Sequence, residues 1–548
     1  MENILRSGGQ ILVDQLLRQG IDKVFCVPGE SFLNVIDALY FRKEQIKLFN
    51  ARHEAAASHM AEAYGKLQKK PGVAIVSRGP GACHASVGVH VAFQDSTPLI
   101  LIVGQVPQKF IDRESFQEID YKIMFQNISK KVFQIDTVDR IPEYFSQAFR
   151  LSISGKPGPV VISIPENILE DKAKVKNIKK IKPLKIMPDY SKLEIIKDKL
   201  NKSKRPILIV GGSDWTRDSR KNLLKFAINN NIPVVTGFRR QDIIENNSDV
   251  FVGSLGTSVS TKLLEKIRKS DLIIIFGSRL GEMTSNKYNL LEGIKKYIIH
   301  VHADSTEIGR VFYSDLPLSC SISEGTILFK KIKIINKKEK ILWLKNLKKE
   351  YIDDILPTKS KNDMNLSRVF NIISNHIKED KIITLDAGNH TGWPQRFISY
   401  GNNTKQLGST CGCMGYSIPA AISASIQFPE KKVICVVGDG GFMMSGMEIM
   451  TAIQYKVGLI VIILNNNSFG TIRMHQEIKF PKRKFATDIE NPDFVKLAKS
   501  MGAFSKKVTT TKDFFNFIKC NQLSNKVYVI EIVSDLEEIT TRKKISEL

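Results

Sequence analysis

The sequence has few of the features that mark a membrane-spanning or disulfide-bonded protein. Its longest apolar runs, 99–103 and 458–464, are five and seven residues long, whereas a helix needs about 20 residues to cross a bilayer. Seven cysteines, an odd number in 548 residues, favour free thiols over a disulfide framework. The first residues are interrupted by Gly8 and Gly9 and lack the continuous apolar segment of a signal peptide. We therefore expect a soluble, cytoplasmic protein.

Acidic residues are scarce, since 56 Asp and Glu face 81 Lys and Arg and leave a net charge of +25. A surplus of this size suggests a nucleic-acid or anionic-membrane partner. However, residues 172–185 hold +7 of it and residues 330–349 hold +8. Neither segment resembles a recognition module, because Trp343 is the only aromatic residue among these lysines. We interpret both as solvated, lysine-rich connectors and predict neither a nucleic-acid nor a membrane partner.

Short apolar runs alternate with helical periods along the whole chain, a pattern typical of mostly parallel sheets covered by helices. Each run ends in or is followed by turn residues, and we predict twelve buried strands: 23–29, 72–77, 99–104, 158–165, 205–212, 232–237, 271–278, 297–304, 381–388, 432–441, 459–467 and 526–533. The sequence therefore predicts three successive α/β domains. With the lysine-rich segments as connectors, they span residues 1–171, 187–329 and 364–548.

The most specific motif lies in the third of these domains. A predicted strand runs into Gly438, Asp439 and Gly440, and 24 residues later a second strand ends in Asn465 and Asn466. The intervening residues favour a helix, so both turns should lie at the carboxyl ends of neighbouring parallel strands, where α/β proteins bind ligands. Alone, a Gly-Asp-Gly turn is weak evidence, since Asp is a common helix N-cap.

This arrangement suits a divalent cation that holds a diphosphate. Asp439 offers an anionic oxygen, Asn466 a neutral one, and the backbone carbonyl of Ser468 a third, which leaves octahedral positions for phosphate and water. The backbone N–H groups of Gly440 and Gly441 open the following helix and favour phosphate. The sequence thus predicts a metal site formed by Asp439, Asn466 and Ser468.

The same motif resembles that of thiamine-diphosphate (ThDP) enzymes, and its surroundings resemble their acetohydroxyacid (acetolactate) synthase branch. The likeness extends over essentially the whole chain, through residues 25–39, 51–66, 77–85, 93–107, 114–120, 385–391 and 412–421. It implies pyrimidine-binding, central and diphosphate-binding domains. It also implies a homodimer or homotetramer whose active sites lie at the subunit interface. A regulatory small subunit is left open.

The resemblance assigns roles to individual residues. Glu54 matches the glutamate that hydrogen-bonds the cofactor's aminopyrimidine, where a carboxyl promotes the imino form that removes the C2 proton. Met414 matches the apolar residue that forces ThDP into a folded shape. Phe116 and Gln117 match a pair that lines the substrate entrance. The remaining residues implied to bind the cofactor are Asn389, His390, Gly412, Gly440, Gly441, Phe469 and Gly470.

The implied reaction is decarboxylation of a 2-oxoacid, pyruvate above all, to an enamine that adds to a second 2-oxoacid, as in branched-chain amino acid biosynthesis. Three positions depart from the synthase pattern: Met283 replaces an arginine, His475 a tryptophan and Glu166 a lysine. They motivate the alternative of a ThDP-dependent decarboxylase, aldehyde lyase or acyl transferase with a different acceptor. FAD is left open, because residues 211–215 and 277–282 fit a flavin site while a dinucleotide fingerprint is absent.

Overall fold

Three six-stranded sheets, every one of them entirely parallel, form the framework of the chain. The computed structural model describes residues 4–293, 296–335, 337–360, 362–520 and 525–548. Residues 1–3 of the predicted first domain, 294–295 of the second, 521–524 of the third and residue 336 of the second lysine-rich segment therefore lie outside the described residues. No helix of the described ranges is long and apolar enough to cross a membrane. The prediction of three α/β domains with mostly parallel sheets is confirmed, and the exact boundaries stay a prediction.

Within each of these sheets, every strand pairs in parallel with the next one in spatial order. The first sheet contains Lys47–Asn50, Lys23–Cys26, Gly72–Val76, Leu99–Gln105, Pro159–Pro165 and Lys131–Gln134. The second contains Phe251–Ser254, Val234–Thr236, Pro206–Val210, Leu272–Phe276, Tyr297–His302 and Leu316–Ser319. The third contains Thr404–Gly408, Lys381–Leu385, Lys432–Gly438, Leu459–Asn465, Val527–Val533 and Phe504–Val508. A short antiparallel pair joins Arg6–Ser7 to Lys172–Ala173.

Helices follow most strands, as right-handed crossovers between parallel strands require. The α-helices of the first predicted domain are Gly8–Arg18, Leu33–Tyr40, Glu54–Gln68, Pro80–Asp95, Tyr121–Phe125, Ile141–Ile153 and Glu166–Glu170. Those of the middle region are Leu193–Lys202, Arg217–Asn229, Thr261–Lys269, Ile322–Lys330 and Lys338–Asp354. The last region has Leu366–His376, Gly392–Phe397, Ser417–Gln427, Asp439–Ser445, Ile449–Gln454, Gly470–Lys479, Phe494–Ser500 and Thr511–Cys520.

The chain forms two compact units. One contains residues 1–184 with the segments 418–428 and 445–457, and the other contains residues 185–417, 429–444 and 458–548. The first unit therefore holds the first sheet, together with two helical segments that follow strands of the third sheet in sequence. The second unit holds the second and third sheets.

Both lysine-rich segments are more ordered than the predicted solvated connectors. Residues 172–184 lie along the first unit, where Val175, Ile178 and Ile181 pack on its core and the lysines are exposed. The second segment is largely the helix Lys338–Asp354, whose Trp343, Leu344 and Leu347 belong to the core around the second sheet. The prediction of a solvated connector was wrong for the second segment, because its spaced apolar residues anchor it in a core. In the first segment the lysines are exposed as predicted, and the two compact units divide between residues 184 and 185.

A buried ion-pair triad stabilises the helix that begins at Glu54. The Lys66 ammonium lies 2.9 Å from Glu62 and 2.5 Å from Asp95. Their side chains are 8%, 0% and 3% exposed. Burial lowers the pKa of Lys66, but the two carboxylates outweigh this and the net shift is upward. Lys66 thus supplies the cation that contacts two carboxylates with little access to water.

We predict that Lys66→Met strongly destabilises the protein, since it leaves two carboxylates buried without their cation, a defect that costs about 3 kcal/mol or more. The measurement is the free energy of unfolding from urea denaturation of the full chain. Arg140→Met is the matched control, because Arg140 also lies between two carboxylates, Asp136 and Glu143, but on the surface. It should unfold almost like the wild type. Equal effects of both substitutions would contradict this role of Lys66.

Candidate cofactor site

Parallel strand pairing positions the predicted metal ligands next to one another. In the third sheet Gly438 is the register partner of Leu464. Asp439 therefore starts its helix beside the point where the neighbouring strand ends at Asn465. Asp439, Asn466 and Ser468 all line one cavity of about 350 Å³. Three oxygen-bearing residues from two loops thus line the same cavity.

The other cofactor residues predicted in this domain line the same cavity. They are Asn389, His390, Gly412, Met414, Gly440, Gly441, Phe469 and Gly470. Asp535 and Glu538, which follow strand Val527–Val533, are two further acidic residues that line this cavity. The structure therefore brings together every predicted site residue of the third sheet, within one unit of the chain.

Asp439 is buried and held by a residue that the sequence analysis missed. Its Oδ2 accepts a hydrogen bond of 2.9 Å from Asn491 Nδ2, which also lies 3.1 Å from Asn465 Oδ1 and 3.0 Å from Asn467 Oδ1. Burial raises the pKa of Asp439, and hydrogen bonds from Gly440 and Asn491 offset only part of this. A carboxylate in a group of amide oxygens is a donor set that suits a hard divalent cation.

His390 presents a buried nitrogen that lacks a partner. Glycines allow the ring to lie against the backbone, since a Cβ at Gly388 would come within 2.8 Å of His390 Nδ1 and one at Gly438 within 3.1 Å. The Nε2 atom is inaccessible to solvent and has no hydrogen-bond partner among the described residues. Burial, with a smaller contribution from Arg239, lowers the pKa of His390 to about 3. The ring is therefore neutral and offers one nitrogen to a ligand.

The loop that carries Gly412 and Met414 is anchored by Asp386, which was also not singled out in the sequence. This fully buried carboxylate accepts hydrogen bonds from the backbone N–H groups of Gly415 and Ser417, each 3.1 Å long. Burial raises the pKa of Asp386, and these backbone donors lower it in part. Because Asp386 directly follows strand Lys381–Leu385, its two hydrogen bonds tie the loop to the sheet, together with the bond from Thr384 Oγ1 to the Ser417 carbonyl.

Glu54 lies in the other unit and opens the helix Glu54–Gln68, for which His53 is the N-cap. Its Oε2 is 2.8 Å from His84 Nδ1, and its Oε1 lies 3.6 Å from the position of a Cβ on Gly81. The ligand atoms of His53, Glu54 and His84 all lie within 4.8 Å of one another. Glu54 is therefore placed near the start of helix Pro80–Asp95, with its Oε1 facing Gly81.

Gln117 approaches the same helix start, whereas Phe116 extends outwards. A Cβ on Gly79 would lie 2.8 Å from Gln117 Cβ, and Gln117 has a left-handed backbone with φ 65°. Phe116 is 72% exposed. The structure thus brings Gln117 near Glu54 and leaves Phe116 on the surface of this unit.

The three positions that depart from the synthase pattern differ in their contacts and exposure. Glu166 pairs with Arg78, and His475 lies on helix Gly470–Lys479 beside the ion pair of Arg473 with Glu477. Met283 is 39% exposed. In the middle domain, the two turns considered for FAD pack against each other, since a Cβ at Gly212 would lie 1.9 Å from the carbonyl oxygen of Gly277. FAD binding stays open.

Family models support the class that this fold and site define. The N-terminal thiamine pyrophosphate (TPP) binding domain model matches residues 6–124, the central domain model residues 193–327 and the C-terminal TPP binding domain model residues 386–532. The chain therefore belongs to the thiamine pyrophosphate enzymes, and the recognition made from the sequence is confirmed.

Curated relatives place it more narrowly. A probable acetolactate synthase large subunit of Methanococcus aeolicus is 31% identical, in an alignment that covers 96% of this chain and 92% of the relative's length. The acetolactate synthase large subunit of Buchnera aphidicola from Acyrthosiphon pisum is 30% identical, over 92% of this chain and 90% of its own. The acetolactate synthase large subunit of Lactococcus lactis is 29% identical, over 97% of this chain and 93% of the relative's length. The chain is an enzyme of the acetolactate synthase-like branch.

We predict that Asp386→Asn weakens ThDP binding about tenfold, because an amide nitrogen would face a backbone N–H and release the loop of Gly412 and Met414. The dissociation constant is measured by calorimetric titration at saturating Mg²⁺. Asp380→Asn is the matched control, since this exposed residue lies just before the same strand and its ion pair with Lys431, at 3.8 Å, is on the surface. Unchanged affinity in Asp386→Asn would refute the anchoring role.

Proposed function

We propose that the chain is a ThDP- and Mg²⁺-dependent decarboxylase and carboligase that releases CO₂ from pyruvate and joins the remaining two-carbon unit to a second 2-oxoacid. The observation that carries this proposal is that Asp439, Asn466 and Ser468 all line the same cavity. The matched TPP domains and the names of the relatives support the cofactor and the reaction type.

The residues of the cavity fit a metal-bound diphosphate. Asp439, the Asn466 amide oxygen and the Ser468 carbonyl would hold Mg²⁺, and the cation would offset the burial that raises the pKa of Asp439. The unpartnered Nε2 of His390 and the N–H group of Gly441 would serve phosphate oxygens, and Gly440, whose N–H donates to Asp439 in this structure, would donate to phosphate only after giving up that bond. When bound, ThDP supplies the carbanion chemistry that a 2-oxoacid needs in order to lose CO₂.

The remaining candidates would shape and activate the cofactor. Met414, half-buried in the cavity wall, would support its folded form, and Gly412, Asn389, Phe469 and Gly470 would complete the lining. A Cβ at Gly440 would lie 2.7 Å from the Phe469 ring, so this glycine lets the ring close over the turn. In the other unit, Glu54 would hold the aminopyrimidine, and Phe116 and Gln117 would line the substrate entrance.

We propose a homodimer or homotetramer with active sites at subunit interfaces. Supporting this, several large apolar side chains near the cavity's segments are exposed in the single chain, including Met443, Met444, Ile472, Ile478 and Phe485. Apolar surface of this kind marks protein contacts. Because the relatives are named large subunits, a separate small subunit is a further proposed partner, and a cytoplasmic location is proposed with it.

The choice of acceptor substrate depends on the side chains at the positions that depart from the synthase pattern. Glu166 replaces a positively charged lysine of the synthase pattern with a negative charge. Its ion pair with Arg78 compensates that negative charge. Arg473, which pairs with Glu477 at 2.6 Å, would be the cation that the carboxylate of a second 2-oxoacid meets. A ThDP enzyme with a non-acidic acceptor is the second candidate, favoured by Met283, His475 and Glu166.

We predict that purified protein with ThDP, Mg²⁺ and pyruvate releases CO₂ and forms acetolactate as its main product. Mass spectrometry of the products, with pyruvate alone and with added 2-oxobutyrate or aldehydes, decides between the two candidates. Acetaldehyde or an aldehyde adduct in place of acetolactate would favour the second candidate. No CO₂ from any of a panel of 2-oxoacids would refute the first candidate.

We predict that Asp439→Asn abolishes the dependence of ThDP affinity on Mg²⁺, because the anionic ligand of the metal is lost. The wild type should bind ThDP at least about a hundredfold more tightly with Mg²⁺ than with a chelator. Asp535→Asn removes a carboxylate from the same cavity without removing a proposed ligand, and it should keep the metal response. If Asp439→Asn retains the full response, the assigned metal site is wrong.

A further inference from the structure

The Glu54 carboxylate has a single partner, His84. Among the described residues, the only hydrogen bond of the Glu54 side chain is the 2.8 Å contact between its Oε2 and His84 Nδ1. The Glu54 side chain is 17% exposed and that of His84 49%. His84 thus fixes the orientation of the Glu54 carboxylate, which lies at the start of its helix and faces Gly81.

The tautomer of each neighbouring imidazole follows from its contacts. An ionised carboxylate can only accept, so His84 Nδ1 carries the hydrogen that Glu54 Oε2 receives. His53 is engaged differently, since its Nδ1 accepts a hydrogen bond of 3.1 Å from the Ala55 N–H. The ring centroids of His53 and His84 are 4.4 Å apart and tilted by 32°. His53 therefore limits the space of the His84 ring while its own Nδ1 caps the helix.

The two oxygens of Glu54 consequently have different environments. Oε2 is tied to His84, whereas Oε1 is directed towards Gly81, 3.6 Å from where a Cβ would be. Helix Pro80–Asp95 supplies both Gly81 and His84, so the same rigid element provides the hydrogen bond and the residue without a side chain that Oε1 faces. Rotation of the carboxylate would break its one hydrogen bond.

We infer that His84 is a positioning residue that holds Glu54 with Oε1 free for the aminopyrimidine of ThDP. The inference rests on the proposed function and deepens it, since nothing in the family models or the names of the relatives assigns a role to His84. His84 acts only through Glu54. Its loss should therefore slow proton handling at the cofactor without removing the groups that hold the diphosphate.

The test compares His84→Ala with the wild type in two measurements on the full chain with Mg²⁺. We expect the exchange rate of the C2 proton of added ThDP, followed by NMR after dilution into D₂O, to fall about tenfold, the value of one lost orienting hydrogen bond. The dissociation constant for ThDP should change by less than about threefold. His84→Gln, which retains an N–H donor, should recover most of the rate.

His90→Ala is the matched control, because this half-buried histidine lies on the same helix and has no assigned role. It should exchange at the wild-type rate. In a Glu54→Gln background, His84→Ala should cause no additional loss, since the residue acts through Glu54.

The outcomes separate this inference from the proposed function. Absence of exchange in the wild type would refute the proposed function. Normal exchange in both the wild type and His84→Ala would overturn the role of His84 alone. A slow His84→Ala that His84→Gln does not rescue would also overturn it, because a space-filling role would then explain the loss.

Discussion

The site depends on the parallel register that sets Gly438 opposite Leu464. Because both strands run in the same direction, Asp439 and Asn466 leave the sheet side by side, and their helix and turn diverge to form the cavity wall. A shift by one residue would reverse the facing of each side chain. The neighbouring strand Lys381–Leu385, paired in register with Lys432–Gly438, adds Asp386 and His390 to the same edge. Binding groups from three loops thus derive their positions from one set of backbone hydrogen bonds.

Burial explains which strands the sequence predicts. The twelve predicted runs are the four central strands of each six-stranded sheet, and the six strands of these sheets that were missed are all at the edges. A central strand of a parallel sheet is covered on both faces and reads as a continuous apolar run. Edge strands such as Lys131–Gln134 and Phe504–Val508 alternate or are largely exposed, so composition does not distinguish them from loops.

The same distinction applies to the site. Asp439, Asn466 and Ser468 follow apolar strands at a fixed spacing, and local pattern alone indicated their chemistry. Asp386, Asn491 and His84 act through contacts with residues distant in the chain, and an aspartate, an asparagine or a histidine in a loop or on a helix carries no local sign of its partner. In the lysine-rich segments, the high charge predicted solvated connectors, whereas the spaced apolar residues of the same segments pack in or against the cores.

The proposed function requires a divalent cation at the carboxyl edge of the third sheet. A crystal structure with ThDP and Mn²⁺, in which anomalous scattering locates the metal, tests this requirement. We expect a peak about 2.2 Å from an Asp439 carboxylate oxygen, the Asn466 amide oxygen and the Ser468 carbonyl oxygen. A peak at His53, Glu54 and His84, whose ligand atoms also lie close together, with none at Asp439, would contradict it.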